Sequence, residues 1–91
     1  MDWVLKVPTK IKKSINEMPD QVRLKALALF QDLSSKGPMA PKWPNFSKLG
    51  DDKYHCHIKK GRPTYVACWI ANKKELFIEV TYAGTHEKAP Y

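Results

Sequence analysis

The spacing of apolar positions divides the chain into short pieces with two different periods. Residues 2–7, DWVLKV, alternate weakly and stop at Pro8, which lacks a ladder donor and so marks the end of a short first strand. Ile11, Ile15 and Met18 then recur at three- and four-residue intervals with lysines between them, predicting a helix over 9–18. Pro19 breaks it, and Asp20 stands where a second helix needs a cap. In DQVRLKALALFQDLSSKG, Val22, Ala26, Leu29, Phe30 and Leu33 make one apolar face among strong helix formers, and Gly37-Pro38 closes the element.

Beyond residue 36 the period changes. KGPMAPKWPNFSKLG, residues 36–50, holds three prolines and two glycines and reads as an irregular loop pinned by Trp43, Phe46 and Leu49. The next run, KYHCHIK, has period two, with Tyr54, Cys56 and Ile58 toward the core and His55, His57 and Lys59 on the opposite, solvent-exposed face. After the turn KKGRP, TYVACWIA is apolar on both faces, as a central strand is, and Trp69 is expected to be buried there. Asn72-Lys73-Lys74 turns again, and ELFIEV follows with Leu76, Ile78 and Val80 inward. The expected fold is therefore α+β. An N-terminal helical hairpin packs on one face of a three- to four-stranded antiparallel sheet, all within a single domain over 1–91.

Charge adds a partner class. The net charge is +7, carried by 14 lysines and two arginines. Residues 42–62 alone have a net +4, more than half the excess in less than a quarter of the chain, which favours an anionic partner. No apolar run approaches the roughly 18 residues a membrane span needs. The start, MDWVLKVPTK, shows no basic leader or apolar signal region, so a cytoplasmic location is expected. Cys56 and Cys68 lie inside strand patterns without CxxC spacing and read as buried thiols.

The chemistry lies in the histidines. His55 and His57 share one strand face beside Lys59 and Arg62, a set suited to proton transfer at a phosphodiester. When the nucleophile is an RNA 2′-hydroxyl, no metal is required. H-x-H spacing also chelates, but Cys56 points away from it and Cys68 is not expected to approach that side, so neither metal nor cofactor is expected. His86 follows the last strand in GTHEKAPY. A tight exit at Gly84 would return it to the level of His55 and His57, with Tyr91 available for a base to stack on. Incidental surface histidines and a frayed tail are the alternative.

Taken in order, a strand, a helical hairpin, a loop ending SKLG, a YHCHI strand, a YVACW strand and the ending GTHEKAPY resemble the RelE/ParE superfamily of bacterial toxins. The likeness covers nearly the whole chain and is nearest to the YafQ-like and HigB-like branch. It implies a type II toxin–antitoxin toxin that cuts messenger RNA in the ribosomal A site without a metal. Its partners would be a cognate antitoxin, the ribosome and mRNA, with operator DNA bound only through the toxin–antitoxin complex. The resemblance assigns catalysis to His86 and His57, and His55 takes the place of an acidic residue. Tyr91 stands near the aromatic residue that ends those toxins. Arginines that the relatives carry are missing: Tyr82 stands at one such position. Lys48, Lys53, Lys59, Lys60, Arg62 and Lys88 would therefore hold RNA phosphates. A silent RNA- or antitoxin-binding domain and a ParE-type gyrase inhibitor are the alternatives. The histidine-rich face speaks against the second.

Overall fold

The structure, a computed structural model, describes residues 2–91. Strand β1 (Val4–Lys6) is followed by helices α1 (Thr9–Asn16) and α2 (Asp20–Lys36). Four more strands come next, β2 (Ser47–Gly50), β3 (Lys53–Lys59), β4 (Tyr65–Asn72) and β5 (Phe77–Thr85), and a short 3-10 turn, His86–Lys88, leads to the tail. They form one five-stranded sheet in the order β1-β5-β4-β3-β2. The sheet is mixed, because β1 runs parallel to β5 while the other pairs are antiparallel. This corrects the expected three- to four-stranded antiparallel sheet. Within the stretch expected to be irregular, residues 47–50 form the edge strand β2. All four are exposed, so they carry no alternation from which to read a strand.

Both helices lie on one face and bury the residues their periodicity marks: Ile11 and Ile15 from α1, and Val22, Ala26, Leu29, Phe30 and Leu33 from α2. The cap of α2 differs from expectation. Pro19 occupies that position, and Asp20 is the first helical residue, its carboxylate accepting a 2.6 Å bond from Arg23. At the other end Gly37 adopts φ 97°, and its N–H bonds the Leu33 carbonyl. A side chain there would also collide with the Trp3 indole, 2.9 Å from where its Cβ would stand.

Tyr54, Cys56, Ile58, Ala67, Trp69, Ile78, Val80 and Ala83 complete the core from the sheet. Trp69 is buried, as expected, and its indole N–H donates to the Pro38 carbonyl at 2.9 Å. Phe46, Tyr54 and Trp69 stack with ring centroids 5.9–6.2 Å apart. Trp43 donates to Asp32 at 2.9 Å. Two of the three expected anchors therefore pin the loop after α2, whereas Leu49 stays exposed. The last strand begins at Phe77 rather than in Glu75-Leu76. Leu76 has φ +51° and belongs to the turn, where the Asn72 side chain accepts bonds from the Lys74 and Glu75 amides.

Two irregularities in register re-aim side chains. Cys68 pairs with Tyr82 and Trp69 with Val80, leaving Thr81 as an extra residue, so Val80 and Ala83 both face the helices although they are three apart. A second shift between His57 and Lys59 sets Lys59 opposite Tyr65 on the helix side, its Nζ 3.4 Å from Gln21 Oε1. Lys59 therefore does not share the histidine face, as strict alternation had suggested.

Candidate active site: a histidine cluster under the C-terminal tail

The parity expected for β3 holds. Tyr54, Cys56 and Ile58 face the helices and His55 and His57 face the other way, but that second face is not bare. The tail folds back across it and places the Tyr91 ring 4.4 Å from that of His55, centroid to centroid. His55 is consequently only 8% exposed and His57 is half-buried, correcting the expectation that both are open to solvent. A one-strand pattern reports which way a side chain points, not what later segment covers it.

His86 does return to this level. Its backbone N–H donates to the Thr64 carbonyl at 2.8 Å, tying the start of the 3-10 turn to the β3–β4 connection. Its ring lies 5.5 Å from His57 and 5.9 Å from Tyr91, and His55 and His57 are 6.3 Å apart. Four rings thus form one cluster. Tyr82, which sequence reasoning saw only as a missing arginine, is a strut: its hydroxyl donates to the Thr85 carbonyl at 2.7 Å, one residue before His86. That hydroxyl would lie 2.8 Å from a Cβ at position 84, so a side chain there would push the Tyr82 ring aside. Ser47 was also missed. Its hydroxyl is 3.1 Å from His55 Nδ1, and nothing in the exposed SKLG run signals that contact.

The basic residues divide. Arg62 lines a cavity of about 490 Å³ with Gly61, Pro63, Thr64, His86 and Glu87. Lys60 is near enough to His57 to act on its charge, and Lys53 lines a neighbouring cavity with Tyr91. By contrast, Lys48 lies with its Nζ 5.9 Å from the Tyr54 ring, and Lys88 lines a recess with Ser14, Glu17 and Tyr65. Lys48, Lys59 and Lys88 are thus outside the cluster. Among the described residues the ion pairs are Arg23–Asp20 and Lys73–Asp52, so the cations around the histidines have no carboxylate partner.

Burial lowers the pKa of His55, partly opposed by a backbone hydrogen bond with Ser47 and reinforced by the charge of His86. His57 is lowered by burial and then by His86, His55 and Lys60. Its Nδ1 is buried without a protein partner, so an imidazolium there would enclose an N–H lacking an acceptor. Burial also raises the Tyr91 hydroxyl, with Cys68, Cys56 and Tyr82 adding to the effect. Cys68 pairs opposite His55 on the same face, contrary to the expected separation. Burial pushes its thiol up to about 11 and that of Cys56 to about 12, which keeps both protonated and unreactive at neutral pH. Among the described residues no group of three His, Cys, Asp or Glu side chains is placed to hold a metal ion.

No family model matches the chain, and no curated protein matches it. Solved structures do. The archaeal RelE of a RelE–RelB complex from Pyrococcus horikoshii OT3 superposes with a TM-score of 0.75 at 15% identity, covering 98% of this chain and 100% of that one. The fold is RelE-like. A mutant of E. coli toxin RelE in the free state gives a TM-score of 0.72 at 12% identity, covering 98% of this chain and 88% of that one. A metal-bound toxin from Helicobacter pylori gives 0.63 at 19% identity, over 94% and 97% of the two chains. At these identities the RelE-like likeness concerns architecture, and the cluster must be judged on its own residues. No helix of the described residues is long and apolar enough to cross a membrane.

Proposed function

We propose that this chain is the toxin of a type II toxin–antitoxin module, of the YafQ-like kind, and that it cuts messenger RNA on the ribosome without a metal. The observation that carries the reading is the meeting of His57 and His86, 5.5 Å apart, beside Lys60 and Arg62, which form no ion pair among the described residues. The RelE-like fold supports it, as does the existence of a similar RelE in complex with RelB. His57, held neutral by burial and neighbouring positive charge, takes the proton of the substrate 2′-hydroxyl. The 2′-oxygen attacks phosphorus, the bond to the 5′-oxygen breaks, and exposed His86 protonates that leaving oxygen. The products are a 2′,3′-cyclic phosphate and a 5′-hydroxyl. Arg62 and Lys60 balance the added charge on the phosphate, and buried His55 orients the cluster through Ser47 and Tyr91.

The partners of this reading are the ribosome, mRNA and a cognate antitoxin that covers the cluster, with operator DNA reached only through the toxin–antitoxin complex. The site of action is the cytoplasm. The test is cleavage of a defined message on a programmed ribosome. His86→Gln should keep the fold and lower cleavage by about 10²-fold or more, while His55→Ala should lose less. Undiminished cutting by His86→Gln would remove the tail from the mechanism. A binding-only domain is the second reading. It draws on Arg62 being the one arginine near the cluster, Arg23 being paired on α2. That reading predicts RNA retention with no cut by the wild type.

A further inference from the structure

The connection between β3 and β4 carries Arg62 past the end of the sheet. Residues 60–63 are all exposed, so packing does little to fix where that arginine stands. Thr64, half-buried at the foot of β4, supplies the hold instead. Its hydroxyl donates to the Gly61 carbonyl at 2.9 Å and accepts from the Gly61 N–H at 3.2 Å. A hydroxyl has one proton to give and lone pairs to receive, so both bonds are made at once, and they close the chain around Arg62 and Pro63. The main chain of the same residue reaches the other way: the Thr64 carbonyl accepts the His86 N–H at 2.8 Å. Tyr65 and Thr85 are paired in the antiparallel ladder, which brings the next residues outward, Thr64 and His86, together. Arg62 and His86 consequently line one cavity of about 490 Å³, with Thr64 in its wall.

We infer that Thr64 is a positioning residue. Its hydroxyl shapes the segment bearing Arg62 while its carbonyl holds His86, so the phosphate-holding cation and the proton donor are set by one residue. For what those two groups do, the inference rests on the proposed function. Charge stabilisation and proton delivery at one phosphate need both groups aligned at once, and a small misplacement is costly. A long arginine side chain has rotamer freedom of its own, so its backbone anchor must be firm. Tyr82 braces the histidine through Thr85 and so acts on one partner alone; Thr64 acts on the pair. With its proton committed to Gly61, Thr64 works through its neighbours.

The test compares wild type with Thr64→Val, which keeps the branched shape without the hydroxyl, and Thr64→Ser, which keeps the hydroxyl. Each is assayed for cleavage of a defined message on a programmed ribosome, alone and combined with Arg62→Ala. Thr64→Val should lower the maximal rate about tenfold with KM nearly unchanged, since lost alignment is felt in the transition state. Thr64→Ser should cut almost as wild type does. In the Arg62→Ala background Thr64→Val should cost nothing more, because the hydroxyl acts through that arginine. The same proteins are titrated with inorganic phosphate by NMR, following the amides of Gly61, Arg62 and His86. All three should shift together in wild type and Thr64→Ser, whereas in Thr64→Val the His86 amide should stay near its free position. Thr64→Ala removes the same hydroxyl should Thr64→Val not fold. Undiminished cutting by Thr64→Val, an equal loss in Thr64→Ser, or a full further loss in the Arg62→Ala background overturns the positioning role and leaves the toxin reading standing. Concerted phosphate shifts that Thr64→Val breaks, with no cleavage by wild type, support the positioning role and overturn the nuclease. Neither cleavage nor phosphate shifts in wild type overturns both.

Discussion

The two faces of the sheet are buried by different means. The helix side is closed by seventeen residues of α2 and eight of α1, and its contents are apolar or aromatic. The tail side is closed by the few residues after Thr85, and beneath them lie two histidines, a cysteine and a tyrosine. A thick apolar layer maximises the area removed from water. A thin cover desolvates imidazoles enough to lower their pKa values while leaving His86 exposed. One face holds the apolar core and the other the histidine cluster of the proposed site, and mutations should separate them.

The largest effect should come from the helix side. Leu29 is fully buried in α2, so Leu29→Ala should cost about 2–5 kcal/mol in chemical denaturation. The folded fraction that remains should still show the low histidine pKa values. An equal loss from His57→Ala would erase the distinction between the faces.

Tyr91→Ala tests the thin cover. Removing the ring over His55 should cost no more than about 0.5–1.5 kcal/mol. It should also move the His55 pKa upward toward its ordinary value in an NMR titration, because burial is the main cause of the lowering. An unchanged His55 titration would mean that β2, not the tail, desolvates this ring.

The same shifts imply a pH dependence of stability. The folded pKa values of His55 and His57 lie below their unfolded values, so the unfolded chain binds more protons between the two. The resulting stability is fully present above about pH 6.5 and is lost as pH falls through the folded values. The Tm should therefore drop on acidification below about 6.5, and less steeply for His57→Gln. A Tm that rises on acidification from pH 7 to 5 would contradict the burial of both rings.

The smallest effect concerns positioning. Tyr82→Phe removes the hydroxyl that holds the Thr85 carbonyl, one neutral hydrogen bond worth about 0.5–1.5 kcal/mol. It should slow cleavage several-fold with little change in RNA affinity, and Gly84→Ala should do likewise by displacing the same ring. A change in affinity alone would make Tyr82 a binding residue.

How legible this was depended on range. The helices, the burial of Trp69 and the opposed parity of Tyr54 and His55 could be read from the chain because a helix or strand face repeats within a few residues. Edge strands could not. β2 is exposed throughout, and β1 joins β5 across more than seventy positions, so neither leaves a local period. For the candidate site, the strand pattern placed His55 and His57 together, and the likeness of GTH to known toxins brought in His86. The sorting of lysines was beyond it: a single shift in register turns Lys59 to Gln21.

Composition and period by themselves determined a basic α+β chain with a histidine-bearing strand face, because those features depend only on residue type and spacing. Tertiary structure alone decided that Tyr91 lies over His55 and that Tyr82 braces Thr85. These contacts join segments brought together by the sheet order and the return of the tail. Their energies depend on distance and burial, neither of which is a property of any one stretch of sequence.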